Sequence, residues 1–127
     1  MDREVAVPDE ENKYSISFNY RIGKVRIYKP VITILGCPTH LQFLLDPDEK
    51  VLFVRGTEMS GVNSLEVPSE EHIKRNCCVL YGKSFIKKLS HLAGWSLMSP
   101  HIIRGQYVET HNTIVFDLSA VEQGGTE

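Results

Sequence analysis

The chain has 127 residues, 42% hydrophobic and 24% charged, with a formal net charge of −2. That length suits one compact unit with its own core, and the composition excludes both a disordered polyelectrolyte and the apolar excess of a membrane protein. The longest apolar stretches, 31–35 and 41–45, fall far short of the roughly 20 residues needed to cross a bilayer, so no membrane partner is expected.

Residues 1–12 carry Asp2, Glu4, Asp9, Glu10 and Glu11 against Arg3 alone, which reads as a flexible acidic arm and not as a secretory leader. Tyr14–Tyr20 alternates with period two and predicts a strand with Tyr14, Ile16, Phe18 and Tyr20 on its inner face. After a turn at Gly23, Val25 and Ile27 point one way while Lys24, Arg26 and Tyr28 point the other. Lys29–Leu35, with Pro30 at its start and Gly36 after its end, predicts a short helix in spite of four β-branched residues. Leu41–Leu45 and Lys50–Arg55 flank Asp46-Pro47-Asp48-Glu49, a hairpin signature. A connector follows over 57–71, with a short strand at Ser64–Val67.

The second half predicts a strand at Cys77–Tyr81 and an amphipathic helix at Ser84–Ala93, capped by Ser84 and closed by Gly94. Strands at His101–Val108 and Thr113–Leu118 enclose a turn at Glu109–Asn112, and 123–127 reads as a flexible tail. The expected class is therefore α+β, a single domain over 13–122 with a mainly antiparallel sheet and two short helices. Both halves run strand, helix, hairpin, which suggests pseudo-duplicated units at 19–56 and 77–118. Val25–Leu35 can be laid over Val79–Leu89, pairing Lys29 with Lys83 and Ile32 with Ile86. The hairpins then align Gln42–Leu45 with Ile102–Gly105 and Val51–Val54 with Ile114–Asp117.

Residues 13–118 hold 13 Lys and Arg against nine Asp and Glu, so the folded part is mildly basic between acidic ends. Arg21, Lys24, Arg26 and Lys29 interleave with Tyr20 and Tyr28, a pattern suited to phosphate contact with base stacking. Solvated charges guarding a strand edge give the same pattern. Lys83, Lys87 and Lys88 form a second cluster on the polar side of the later helix.

Cys37 and His40 have the spacing of half a zinc site or of a thiolate–imidazole pair. Cys77 and Cys78 are adjacent and so point to opposite faces of a strand; no metal site, cofactor or activated nucleophile is expected. Three cysteines also make no disulfide framework, which fits a reduced, cytoplasmic protein. Trp95 reads as an anchor of its connector onto the core, with a ligand pocket as the alternative. No GxGxxG, P-loop, GxSxG or paired-carboxylate motif occurs, so an enzyme is not expected.

Gly23-Lys-Val-Arg-Ile-Tyr-Lys-Pro-Val-Ile-Thr-Ile-Leu-Gly36, followed by the hairpin from Leu41 to Val54, resembles the AbrB/MazE/MraZ swapped-hairpin DNA-binding proteins. The resemblance covers about Asn19–Arg55, with Tyr28 where that family commonly has proline. It implies a non-enzymatic transcriptional regulator that binds duplex DNA, with Lys24 and Arg26 in the DNA-contact role; together with the basic row, the expected contact residues are Arg21, Lys24, Arg26, Tyr28 and Lys29. A sliding-clamp-like or TATA-binder-like sheet is the rival architecture, and a protein-interaction or structural module, as a homodimer or with another protein, is the alternative function.

Overall fold

The computed structural model describes residues 14–58, 61, 64–68, 77–119 and 122–123. The acidic arm, part of the 57–71 connector and the last four residues lie outside these. Among the described residues are nine strands: β1 (Tyr14–Asn19), β2 (Lys24–Tyr28), β3 (His40–Asp46), β4 (Val51–Thr57), β5 (Ser64–Glu66), β6 (Cys77–Tyr81), β7 (His101–Val108), β8 (Thr113–Asp117) and β9 (Glu122–Gln123). Two helices, α1 (Lys29–Ile34) and α2 (Lys83–Ala93), follow β2 and β6. The class is α+β but dominated by strands. Gln123, expected in a frayed tail, instead pairs with His101.

Every pairing is antiparallel, and the strand order β5-β3-β4-β8-β7-β1-β2-β6 curls the sheet nearly into a barrel. The pattern of pairing in one half recurs in the other. β4 lies against β8 and β2 against β6, while β1 pairs with β7 of the second half and β5 pairs with β3 of the first. The opening strand of each half is therefore bonded to the hairpin of the other.

Period-two alternation turns Ile16, Phe18, Val25, Ile27, Leu41, Phe43, Leu52, Val54, Cys78, Ile103, Ile114 and Phe116 inward, all at 2% exposure or less. Val31, Ile32 and Leu35 of the first helical segment and Ile86 and Leu89 of α2 complete this core. Phe85 of α2 lies 5.0 Å from the Phe43 ring and 6.3 Å from Phe18.

Both helices stop in the same way. Cys37 N–H donates to Ile32 O and Gly36 N–H to Thr33 O, as Trp95 N–H does to Ser90 O and Gly94 N–H to His91 O. Gly36 (φ +90°) and Gly94 (φ +77°) supply the left-handed residue of this Schellman closure. The N-terminus of α2 differs from expectation: the helix begins at Lys83, and Gly82, not Ser84, is the capping residue, with no side-chain cap. Tyr20, expected on the inner face of β1, instead opens a 3₁₀ turn over Tyr20–Ile22.

The halves correspond in space at offsets other than those of the sequence overlay. Both hairpin turns end in a left-handed residue, Lys50 (φ +55°) and Asn112 (φ +47°). Matching these sets Leu52 against Ile114 and Val54 against Phe116, one residue away from the overlay, and Phe43 against Gly105, two residues away. In β6 the inward residues are Cys78 and Leu80, facing Ile27 and Val25, so Val79 is not the counterpart of Val25. Strand pairs restrict the overlay because a one-residue slip reverses every side chain.

Gly105 is the small member of this arrangement. A Cβ there would meet Ile114 Cγ2 at 2.7 Å and the Phe116 ring at 2.8 Å. Gly105→Ala is expected to lower stability by about 1–3 kcal/mol, read from the midpoint of urea unfolding.

Trp95 packs between Phe18, at 5.8 Å, and the His101 ring, stacked at 4.8 Å with 12° between planes. It anchors its connector as expected. Burial holds the His101 pKa below its ordinary 6.5, against a smaller opposing effect of the Ser99 backbone. The unfolded chain then binds the proton more readily than the native one, so stability falls as pH drops through about 6.5 towards the lower native value. Urea midpoints at about pH 8 and pH 5.5 should show this loss, and His101→Phe should reduce it.

Candidate nucleic-acid interface

The five residues expected to contact DNA occupy β2 and its two ends. Lys24, Arg26 and Tyr28 stand in one outward row, because Val25 and Ile27 between them are buried. The outward positions lie about 6.6 Å apart, close to two nucleotide steps of axial rise along one DNA strand. Arg21 is exposed on the 3₁₀ turn at one end of the row, and Lys29 opens α1 at the other.

Gly23 fixes how this corner is built. At φ +67° it closes the turn by donating its N–H to Tyr20 O at 3.0 Å, while its carbonyl accepts from Gly82 N–H at 3.0 Å. That second bond locks the start of α2 onto the turn. A Cβ on Gly23 would also press on Lys83 Cβ at 3.3 Å. Lys83 bends over Tyr20, its Nζ 5.0 Å from the ring centroid, so its charge is held beside the turn by a cation–π contact.

Register brings in residues from the second half. Lys24 faces Tyr81 across the β2–β6 seam, and Arg26 faces Val79 on one side and Ser17 on the other. Arg104 joins the same outer surface from β7, opposite Ser15. Ser15 and Ser17 are buried although they point outward, as short side chains between longer ones on the flanking strands. Tyr81 at 71% exposure and Ile22 at 55% give the corner accessible planar and apolar surface beside Arg21, Lys24 and Lys83. Lys87 and Lys88 lie further along α2 and are exposed.

Two long stretches of the chain lack acids entirely. Residues 14–45 contain Arg21, Lys24, Arg26 and Lys29 with no Asp or Glu, and residues 77–108 contain Lys83, Lys87, Lys88 and Arg104 with none. Among the described residues, therefore, no acid lies on β1, β2, β6, β7 or either helix. Most of the described acids sit elsewhere: Asp46, Asp48 and Glu49 at the β3–β4 turn, Glu58 and Glu66 beyond β4 and on β5, and Glu109 and Asp117 at the β7–β8 hairpin; Glu122 is on β9, where register sets it against Ile102 of β7. The run without acids was readable in the sequence; the meeting of Lys24 with Tyr81 and the contribution of Arg104 required the strand register.

The cysteine alternatives gain nothing from geometry. Among the described residues no three His, Cys, Asp or Glu side chains converge as a metal site. His40 Nδ1 lies 2.9 Å from Thr39 Oγ1, and Cys37 sits on an exposed loop at φ +52°. Cys78 is buried; burial, and then the neighbouring Cys77, push its thiol up to about 11. It is protonated and unreactive at neutral pH. Comparison with family models, with curated proteins and with solved structures finds no match.

Brief iodoacetamide treatment of the native protein should alkylate Cys37 and spare Cys78, with both modified in urea. Peptide mass spectrometry reads the two positions separately.

Proposed function

We propose that the chain is a non-enzymatic DNA-binding regulator of the AbrB/MazE/MraZ type, acting in the cytoplasm, with duplex DNA lying along the outer surface of β1, β2 and β6. The observation that carries this reading is the segregation of charge: the four cations along 14–45, a stretch with no acid, lie on and beside β2, with Lys83 at the Tyr20 turn and Arg104 on β7 added from the likewise acid-free stretch 77–108. Such a surface keeps a positive local potential although the chain as a whole is at −2.

Arg21, Lys24 and Arg26 neutralise phosphates, Lys83 adds charge at the turn, and Tyr28 and Lys29 extend the track at its far end. Tyr81 and Ile22 supply surface that can meet sugars or base edges. Two units derived from one ancestral duplicated segment account for the recurring pairing pattern.

Anisotropy titration against random-sequence duplex DNA at two salt concentrations tests this. Arg21→Ala/Lys24→Ala should weaken binding and flatten the logarithmic salt dependence by about 0.9 for each phosphate no longer neutralised. Lys50→Ala, on the hairpin turn, should leave both unchanged. Absence of binding at low salt, or an unaltered slope in the double variant, overturns the proposal and favours the protein-interaction module.

A further inference from the structure

The outer surface of β3, β4 and β8 has a different character. Register aligns Leu44 with Phe53 and Phe53 with Val115, so three apolar side chains form a stripe across the strands. All three point away from the core and remain half-exposed. α1 packs against β1 and β2 and α2 against the Tyr20–Ile22 turn, while Phe85 of α2 reaches Phe43 on the inner face of β3 and the helix borders the edge of that strand at Leu44 and Leu45; no residue of α1 or α2 lines the outer side of the stripe. A depression of about 300 Å³ lies over the stripe, bounded on one side by Val108 and His111.

The rows on either side of the stripe carry opposite charge. On one, Gln42, Arg55 and Thr113 are aligned, and Arg55 Nε donates to Gln42 Oε1 at 2.7 Å, which fixes the guanidinium over the sheet. On the other, Asp46, Val51 and Asp117 are aligned. Four residues of strand, about 13 Å, separate the rows, so Arg55 and the aspartates are too far apart to pair within one molecule. A two-fold axis lying along the stripe would exchange the rows between two copies. Leu44, Phe53 and Val115 of one molecule would then cover those of the other, with Arg55 over the Asp46–Asp117 row at both edges. An unrelated partner has no reason to carry this particular order of charge, apolar stripe and opposite charge; a second copy carries it by definition.

We infer that the outer face of β3-β4-β8 is an isologous homodimer interface, closed by the Leu44–Phe53–Val115 stripe and by reciprocal Arg55–aspartate contacts. In the nearly closed sheet this face is opposite the β2–β6 seam, so the interface leaves the basic surface uncovered and does not depend on DNA binding.

Sedimentation equilibrium of the full chain, without DNA, tests the inference. The wild type should sediment as a dimer at micromolar concentration. Phe53→Ser and, separately, Arg55→Glu should each raise the dimer Kd at least about tenfold, with melting temperature showing that both variants fold. Adding Asp46→Arg and Asp117→Arg to Arg55→Glu should restore association, which a merely structural role for Arg55 would not allow. A wild-type monomer at about 100 μM, or a dimer indifferent to Phe53→Ser and Arg55→Glu, overturns the proposal.

Discussion

The seams between β2 and β6 and between β4 and β8 hold the two halves of the chain in one sheet, and the rest of the structure depends on them. Neither half encloses a core alone. β1 needs β7 as its outer neighbour, β5 needs β3, and the inward residues of each half are covered by those of the other. Because alternate residues face opposite ways, the seams also fix which side chains see water: a slip of one residue at β2 would turn Lys24, Arg26 and Tyr28 into the core and expose Val25 and Ile27. Position of charge and integrity of the core are thus enforced by the same hydrogen bonds.

That coupling explains why the surface features are assembled from distant parts of the sequence. Lys24 meets Tyr81, Arg26 meets Val79, and Phe53 meets Val115, each pair more than 50 residues apart and each created by pairing across the halves. The corner at Gly23 is the most constrained of these meetings. There the left-handed turn, the bond to Gly82 and the lysine folded over Tyr20 leave little freedom for the start of α2. Cations in the first turn of a helix oppose its dipole, yet Lys29 and Lys83 occupy that place in both helices and no acid accompanies either. The sequence departs from what helix stability favours at the positions where positive charge accumulates, a local conflict of the kind expected near functional surfaces.

Local order was largely legible in the residues. Alternation at Tyr14–Asn19 and Lys24–Tyr28, Asp46-Pro47 between two apolar runs, and Gly36 and Gly94 after helical stretches all act through neighbours a few positions away. What escaped were features decided across the seams. The overlay of hairpins missed their correspondence because core volume is exchanged between partners: the pair Phe43 and Val54 in one half corresponds to Gly105 and Phe116 in the other. Each pair is one large residue and one smaller, in reversed order, so the core is filled while the aligned letters disagree. The five basic and aromatic positions around β2 were visible, whereas Arg104, the contact of Lys83 with Tyr20 and the apolar stripe became visible only with strand order.

Net charge is a poor guide to such a molecule because its charges are sorted by strand. Opposite walls of a folded sheet are separated by at least about 10 Å, comparable to the screening length in roughly 0.1 M salt. Among the described residues, the potential over β2 is therefore set mainly by near neighbours such as Arg21, Lys24 and Lys83 and only weakly by Asp46, Asp48 and Glu49 beyond the core. A second molecule approaching β4 and β8 meets the reverse situation, with both signs arranged about an apolar stripe. The same closure that hides Phe43 and Phe116 separates these two surfaces, so each can keep its own electrostatic character without cancelling the other.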